Sequence, residues 1–429
     1  MVLTIKFQAK DDGLRAVDAL RKHYAFSNRR IKKIKFQGYF KLNGENCYLI
    51  VPVKAGDIAE ICDDAQVNEL ELSADAESYI VYKDDWFIAA NKPANMLTQP
   101  NYWHADSALT KIISKQDLHL VNRLDKDSSG LVILATSSHA HSVLTQISLA
   151  KYYLTLVYGD VEASNFGEEF VPEFKQKELQ IEMEKGLLKE LSLSDSANLT
   201  CNYCAYPICR REASILERRI CLEKGKSCLT LFRKLAYDQT TNVSLVLCRL
   251  LTGRTHQIRL HFLSMGHPLL GESLYDLANL AEMARLPYEE RTLSFKKEIP
   301  LAEKLELDSL RFTDNPLSTD IYIKYLANLL NIEPSKLQAQ AKSNANFIKS
   351  TKAYQAMQIL NASLPRQALH AWALNFANPV HFPNNSVLDY YVLFAPLQAD
   401  MANFITEHFP KQKEILGKYE AFNLHYPKA

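Results

Sequence analysis

The stretch HLVNRLDKDSSGLVILATS, residues 119–137, places six polar or small residues between two apolar runs. The apolar runs have the length and composition of buried strands, so the polar residues 125–130 are predicted to form a tight loop between them. Two carboxylates, Asp125 and Asp127, lie on this loop, and Arg123 stands just before it. Because catalytic residues concentrate on loops that rigid strands position, the stretch predicts an active site.

The composition is that of a globular protein with room for two or three domains. The chain has 429 residues, of which 47% are hydrophobic and 23% charged. No apolar run approaches the length of a membrane span, and the first residues lack the apolar core of a signal peptide. The eight cysteines are interpreted as thiols in a chain of this size. We therefore expect a soluble, monomeric, cytoplasmic protein.

Positive charge is concentrated near the N-terminus. The whole chain has a net charge of +1, yet residues 1–57 contain twelve Lys and Arg against five Asp and Glu, a net charge of +7. Such a patch is typical of a surface that binds a phosphate backbone. The alternative is a solvated helix face without a partner, and charge alone does not separate the two.

The same segment shows a pattern of elements. GLRAVDALRKHY has helical periodicity, Ser27 is suited to cap a second helix that Gly38 ends, and Asn43-Gly44 is a hairpin signal. With the following strand in VKAGDIAEI, residues 10–62 resemble the alpha-L RNA-binding domain. The resemblance implies an RNA-facing helix that carries Arg29, Arg30, Lys32 and Lys33.

Five motifs, in order along the chain, resemble those of the RluA-type RNA pseudouridine synthases. The loop itself, NRLDKDSSG, is similar to the family signature, and the other four motifs flank it on both sides. They are VYKDDWFIAANKPANM, KYYLTLVYG, LLTGRTHQIRLHFLSMGHPLLGESLYD, and RQALHAWALNF with APLQADM. Five ordered matches are far more specific than any one of them.

The resemblance implies a reaction and a site. Members of this family isomerise uridine to pseudouridine in RNA without cofactor or metal, by way of a flipped nucleotide. The implied catalytic residues are Asp125, Tyr153 and Arg259, and the implied substrate-binding residues are Arg123, Arg254 and His256. The favoured substrate is large-subunit ribosomal RNA, and transfer RNA is the other possibility. The target uridine cannot be derived from these residues.

Physical chemistry explains why an Asp should be paired with an Arg. A carboxylate in a pocket that excludes water has a raised pKa, which a guanidinium opposes while bidentate pairing also orients the acid. RTHQIRLHFLSMG is predicted to be a helix closed by Gly266. On such a helix His256, Arg259 and Leu263 share one face. The resemblance implies that Arg259 is the partner of Asp125.

Three positions depart from the family pattern. Asn122 replaces a His, Ser128 replaces a Thr, and Asn95 replaces a Gly. None of these changes removes the carboxylate, the Arg pair or the Tyr. Activity is therefore expected. The alternative function is a catalytically inactive RNA-binding ribosome-assembly factor with the same fold.

The expected architecture is α+β. It comprises an RNA-binding N-terminal domain at 1–72, a catalytic domain with a mixed, mainly antiparallel sheet at 73–276, a helical insertion at 277–365, and closing strands with a C-terminal helix at 366–429. An extra charged segment, about 162–199, is predicted to be partly helical. STDIYIKYLANLLNIEP and TKAYQAMQILNASLP are predicted to be helices of the insertion.

Two other kinds of site were weighed. Five cysteines between residues 201 and 228 could hold zinc, but they contain one CxxC and otherwise irregular spacings, so no metal is expected. Asp125-Lys126-Asp127 is also similar to the DxD loop of haloacid-dehalogenase-like phosphatases. That loop precedes a helix in a doubly wound sheet, whereas a strand is predicted to follow here.

Overall fold

The computed structural model of the chain describes most of both predicted domains. The described residues are 2–36, 38–62, 71–100, 107–185, 201–211, 217–275, 335, 352–378 and 390–422. The helices are α1 Ala16–His23, α2 Asn28–Phe36, α3 Leu109–Ile113, α4 Ser138–Leu144, α5 Gln176–Lys185, α6 Gln257–Ser264, α7 Lys352–Ser363, α8 Ala399–His408 and α9 Pro410–Phe422.

The strands form three separate sheets. They are β1 Val2–Lys6, β2 Tyr39–Leu42, β3 Glu45–Asn46, β4 Ile58–Cys62, β5 Ile80–Lys83, β6 Phe87–Lys92, β7 His119–Leu120, β8 Ser129–Ala135, β9 Ala150–Tyr158, β10 Asn202–Cys204, β11 Ile208–Arg210, β12 Arg218–Ile220, β13 Thr230–Asp238, β14 Val243–Leu250, β15 Leu369–Ala377 and β16 Tyr390–Phe394.

A small sheet with two helices forms the N-terminal region. Its strand order is β1-β4-β2-β3, all antiparallel. The Ser27 hydroxyl accepts a hydrogen bond from the Arg30 N–H, as expected of a helix cap. Asn43 and Gly44 both have positive φ, which a tight hairpin turn requires. Strand β1, which pairs with β4 along its whole length, was not foreseen from the sequence.

The large sheet is mixed and mainly antiparallel, as predicted. Its ten strands follow the order β10-β13-β14-β9-β15-β8-β6-β5, with β16 beside β15 and β7 beside β8. The β15–β8 pairing is parallel, and the other strand pairs described for this sheet are antiparallel. All seven residues of β8 are buried, which accounts for its continuous apolar sequence. The polar loop therefore leads directly into a strand, unlike a DxD phosphatase loop.

Helices contribute to the core clusters on both faces of the large sheet. Helix α6 packs through Ile258 and Phe262 into the cluster on one face, while its Leu260 and Leu263 belong to the cluster on the other. Helices α7, α8 and α9 contribute to a cluster on the other face, so the closing part contains two helices after β16 rather than the one predicted. The candidate site is lined by residues just before β8, near the start of β9 and in the first turn of α6.

The N-terminal region packs against the large sheet near α4. The Phe26 ring lies 4.7 Å from the His139 ring, and the Ser142 hydroxyl donates to the Ala25 carbonyl at 3.1 Å. Residues of both regions belong to one hydrophobic cluster. The basic helix α2 is thereby attached to the same rigid core as the loop, although the predicted domain boundaries stay a prediction.

The extra charged segment at 162–199 and the predicted helical insertion at 277–365 are only partly described. Helix α5 agrees with the prediction for 162–199, and residues 186–200 lie outside the described part. Helix α7 matches TKAYQAMQILNASLP, and its Asn361 side chain accepts from the Tyr158 hydroxyl at 2.7 Å. The STDIYIKYLANLLNIEP segment and most of 277–365 lie outside the described residues. No described helix is both long and apolar enough to cross a membrane.

The cysteines are free thiols, and several are buried. Burial raises the pKa of the Cys204 and Cys228 thiols to about 12, which disfavours the thiolate that zinc requires. Among the described residues, no three His, Cys, Asp or Glu side chains lie close enough together to hold a metal ion.

Candidate active site

A cavity of about 560 Å³ lies beside the polar loop. The start of β9 and the start of α6 form two of its walls, and the loop before β8 forms a third. All six predicted catalytic and substrate-binding residues line it: Arg123, Asp125, Tyr153, Arg254, His256 and Arg259. Residues that are as much as 136 positions apart in the sequence thus converge on one space of a size suited to a small ligand.

Buried side chains fix the backbone of the loop. The Thr98 hydroxyl donates to the Leu124 carbonyl at 2.9 Å, and the Leu124 N–H donates back to it at 3.2 Å. The Ser128 N–H closes the turn by donating to the Asp125 carbonyl. The acid is therefore presented by a backbone that has little freedom to shift.

Lys92 is the second support of the loop. Its fully buried ammonium donates to the carbonyls of Pro93, Met96 and Lys126 at 2.7–2.9 Å, which joins the turn after β6 to the loop. Desolvation lowers the pKa of Lys92 to about 7. Three carbonyl acceptors match the three protons of an ammonium, and this argues that Lys92 is charged while it holds the loop.

Gly130 allows β15 to approach the end of the loop. Its φ is +111°, and a Cβ at this position would lie 2.2 Å from the Ala371 carbonyl oxygen. Two other loop residues bond across the sheet, because the Ser129 hydroxyl contacts His370 Nδ1 at 2.9 Å and Gln367 donates to the Ser128 hydroxyl at 3.3 Å. Ser129 thus fixes the end of the loop against β15.

The substitutions noted in the sequence have local explanations. The Asn122 amide donates to the Leu131 carbonyl and its oxygen accepts from the Ile133 N–H, so it anchors the strand that leads into the loop. Asn95 has a φ of 61°, a left-handed conformation that Asn tolerates better than most residues. Both positions retain a structural role without the family residue.

The Asp125 carboxylate lies within reach of two basic groups. Its Oδ2 is 3.5 Å from Arg259 Nη1 and 3.7 Å from His256 Nε2, and 28% of the side chain is exposed toward the cavity. These are long contacts, and the predicted bidentate pairing of Arg259 with Asp125 is wrong. Both contacts are made by Oδ2, so Oδ1 stays available to a substrate.

Glu272 makes the bidentate pair instead. Arg259 Nε and Nη2 each donate to this carboxylate at 2.7 Å, and both side chains are buried. Burial alone would lower the pKa of Arg259, but the bonds to Glu272 outweigh it, so the pKa lies above its ordinary value. The remaining guanidinium nitrogen, Nη1, then points at Asp125, because the planar guanidinium is rigid.

His256 lies between Tyr275 and Asp125. It is at the N-cap of α6 with a φ of 58°, so it is not on the helix face that the sequence predicted. Desolvation, reinforced by the Arg259 charge, lowers its pKa to about 4, so the imidazole is neutral. The Tyr275 hydroxyl accepts from the Arg218 backbone N–H and lies 2.7 Å from His256 Nδ1. The tautomer in which Tyr275 donates to Nδ1 carries the imidazole proton on Nε2, which faces Asp125 at 3.7 Å.

Tyr153 forms the wall opposite α6. It is 6% exposed, and burial followed by the Asp125 charge raises the pKa of its phenol, which is therefore neutral. Tyr152 belongs to the core cluster on the other face of the sheet, as the alternation of side chains along a strand predicted. The neutral ring of Tyr153 is suited to stack on a flat base.

The basic residues divide into exposed and buried groups. Arg123 and Arg254 are exposed at the rim of the cavity. On α2, Arg29, Lys32 and Lys33 are exposed, whereas Arg30 is 8% exposed with its guanidinium 4.3 Å from the Phe26 ring centroid. The prediction that Arg30 faces RNA is therefore wrong, because Arg30 lies on the same buried side of α2 as Ile31 and packs onto the core.

Sequence reasoning missed the residues that support the site. Glu272, Lys92, Thr98 and Tyr275 do not line the cavity. Glu272, Thr98 and Tyr275 each contact a residue that does, and Lys92 holds the loop at Lys126. A signal existed for Glu272 and Tyr275, since both stand in the quoted stretch GHPLLGESLYD. No pattern in the sequence indicates that Glu272 rather than Asp125 receives two bonds from Arg259.

Comparison with known proteins agrees with this geometry. The family described as RNA pseudouridylate synthase matches residues 86–264. The dual-specificity RNA pseudouridine synthase RluA of Pasteurella multocida is 32% identical over 207 residues, which are 46% of this chain and 76% of the relative. The ribosomal large subunit pseudouridine synthase C of Rickettsia conorii is 28% identical over 296 residues, or 64% of this chain and 84% of the relative.

A solved human structure is similar over much of the chain. Human RNA pseudouridylate synthase domain containing 1 covers 78% of this chain and 86% of its own, at 16% identity and a TM-score of 0.39, which is too low to bear on the assignment. The match to the family and the sequence relatives are sufficient to assign the chain to a family. The chain belongs to the RNA pseudouridylate synthase family and is an RNA pseudouridine synthase of the RluA type.

Proposed function

We propose that this enzyme isomerises a defined uridine in RNA, with Asp125 as its essential group and Arg259 as the partner of that group. The observation that carries the proposal is the convergence of Asp125, Tyr153, His256 and Arg259 on one cavity. In the reaction the bond from the base nitrogen to the ribose breaks, the uracil turns in the cavity, and its carbon five bonds to the same ribose carbon. The proton displaced from carbon five leaves to solvent or to a basic group, and the base nitrogen released from the ribose takes up a proton, so the product is an isomer of the substrate.

Each residue has a role that follows from its position. The Asp125 carboxylate acts at the ribose as nucleophile or base, with an oxygen left free by the long contact to Arg259. Tyr153 stacks on the uracil, and the guanidinium fixed by Glu272 stabilises the carboxylate. His256 donates its Nε2 proton toward the acid without adding charge. Arg123, at the rim, takes the place of the extruded base in the RNA stack.

The proposed substrate is large-subunit ribosomal RNA. One relative is named for the large ribosomal subunit and another for dual specificity. Transfer RNA is the second candidate, as the family resemblance of the sequence implies. The exposed Arg29, Lys32 and Lys33 on α2 supply a basic surface fixed to the same core as the cavity. We further propose that the enzyme is a cytoplasmic monomer.

Tritium release tests the proposal directly. RNA transcribed with uridine tritiated at carbon five loses its label when pseudouridine forms. We expect the wild type to release label and Asp125→Asn to release none, a loss of at least about a thousand-fold. The affinity of the variant for the RNA should stay within a few-fold, because phosphate contacts dominate binding.

The matched control is Asp127→Asn on the same loop. This carboxylate does not line the cavity, so we expect the variant to retain most of its turnover. Turnover by Asp125→Asn would refute the assignment. Binding without any release by the wild type would favour the inactive assembly factor. Mapping which pseudouridine disappears from total RNA after deletion of the gene would then identify the target.

A further inference from the structure

Lys151 is a cation of the cavity that the catalytic scheme does not use. It stands in β9 two residues before Tyr153, and both side chains line the cavity because alternate residues of a strand share a face. The side chain is half-buried. Within the described part of the chain it makes no hydrogen bond or ion pair, and desolvation alone lowers its pKa.

The charges around the cavity are unbalanced. Its lining contains one acid, Asp125, against four permanently or normally cationic residues, Arg123, Lys151, Arg254 and Arg259. Of these, Arg259 is already paired with Glu272. A partly desolvated ammonium without a partner costs free energy in the free enzyme. A ligand that brings negative charge beside Lys151 would recover this cost.

A nucleotide that enters the cavity brings a phosphate on each side of its ribose. Residues i and i+2 of a strand are about 6.6 Å apart, so a base stacked on Tyr153 places the adjoining backbone within the span of a lysine side chain. We propose that Lys151 binds a backbone phosphate next to the flipped uridine, as a point charge that sets how deeply the nucleotide enters. This inference rests on the proposed function.

The test compares Lys151→Met, Lys151→Arg and the control Lys418→Met. Lys418 lies on α9, is largely exposed and pairs only with Glu414 among the described residues. The probe is a ribosomal RNA transcript with tritiated uridine. For Lys151→Met we expect a KM raised about ten-fold and a smaller change in kcat, because a contact made equally in the ground and transition states is lost.

Two further measurements separate phosphate binding from a structural role. The slope of log affinity against log salt should become shallower by about 0.7, the value for one phosphate contact on single-stranded RNA. The melting temperature of Lys151→Met should rise, because an unpartnered, partly buried charge is removed. Lys151→Arg should restore the salt slope, and Lys418→Met should change neither the slope nor the KM.

The outcomes distinguish this inference from the proposed function. An unchanged KM and salt slope in Lys151→Met, with a wild type that releases tritium, would overturn the role of Lys151 alone. A lower melting temperature with an unchanged slope would show that Lys151 is structural. A wild type that releases no tritium would overturn the proposed function, while the salt slope of binding would still test the phosphate contact.

Discussion

The loop around Asp125 and the basic helix α2 carry charge in opposite ways. The two buried cations that support the site are each fixed by several bonds, Lys92 by three carbonyls and Arg259 by Glu272. On α2, Arg29, Lys32 and Lys33 are exposed to solvent. Residues of both regions belong to one hydrophobic cluster, so the contrast lies in the surroundings of the charges.

The difference reflects two tasks. A group that acts on a bond must be placed to within a fraction of an ångström, and buried partners supply that placement. Attraction of RNA depends mainly on how many phosphates are neutralised, so exposed charges with freely moving side chains suffice. A single change should therefore have a large effect near the loop and a small, additive effect on α2.

Among changes that leave Asp125 in place, the largest effect is expected from Glu272→Gln. The change removes the charge that fixes Arg259 and leaves a buried guanidinium with a weaker partner, so kcat should fall about a hundred-fold. The free energy of unfolding should fall by about 3 kcal/mol, since breaking a buried ion pair costs this order. Tritium release under saturating RNA and urea unfolding measure the two effects.

Asp400→Asn is the matched control for that variant. Asp400 forms a bidentate pair with Arg366 at 2.7 and 2.8 Å, and neither residue lines the cavity. We expect a similar loss of stability with little loss of kcat. Equal kcat in the wild type and Glu272→Gln would contradict a positioning role for Glu272 and reduce it to a structural one.

A moderate effect is expected from acid. Desolvation lowers the pKa of the fully buried His261 and His370 to about 4, well below the ordinary value of 6.5. The unfolded chain therefore takes up protons first, so the stability from these neutral histidines is complete above about pH 6.5 and is lost as pH falls toward 4. Each should cost up to about 2 kcal/mol at pH 5.

The N-terminal region should not share this loss. Hydrogen bonds led by that from Tyr24 outweigh the desolvation of Asp11 and lower its pKa below 3.8, so its contribution is lost only at more acidic pH. The measurement is the melting temperature at pH 7 and pH 5. The decrease in melting temperature from pH 7 to pH 5 should be smaller in His261→Gln than in the wild type. In His23→Gln it should equal that of the wild type. An equal decrease in all three would exclude His261 as a cause.

The smallest effect is expected on α2. Replacing Arg29, Lys32 and Lys33 together by Gln should weaken RNA binding about ten-fold near 100 mM salt and make the salt slope shallower by about 2. The loss should appear in KM. Arg30→Gln is the control on the same helix, and it should lower the melting temperature while the slope stays as in the wild type. A slope that the triple variant leaves unchanged would exclude α2 as an RNA contact.

Local signals in the sequence were reliable where the interaction is itself local. Ser27 caps α2, and Asn43 and Gly44 form the predicted turn, because both depend on residues within a few positions. The loop before β8 and the six cavity residues were also predicted, since an ordered set of motifs indicated them together. Strand β1 was missed because a short strand at the N-terminus is recognised only by its partner β4.

The partners of charged groups were not predictable in this way. Arg259 lies 13 residues from Glu272 and 134 from Asp125, and nothing in the spacing tells which carboxylate receives two bonds. Arg30 was assigned to an RNA-facing surface because its neighbours are basic, whereas packing against Phe26 turns it inward. A pairing of this kind is set by which side chains meet after the elements pack.

The sequence by itself determined the type of sheet, the loop that carries Asp125, the family and the set of residues that meet in the cavity. Tertiary structure alone decided that Glu272 fixes Arg259, that His256 lies between Tyr275 and Asp125, and that Lys151 faces the cavity with no partner among the described residues. The physical reason is range. Turns, caps and strand periodicity act over a few residues, whereas burial and charge pairing depend on distances that exist only in the folded chain.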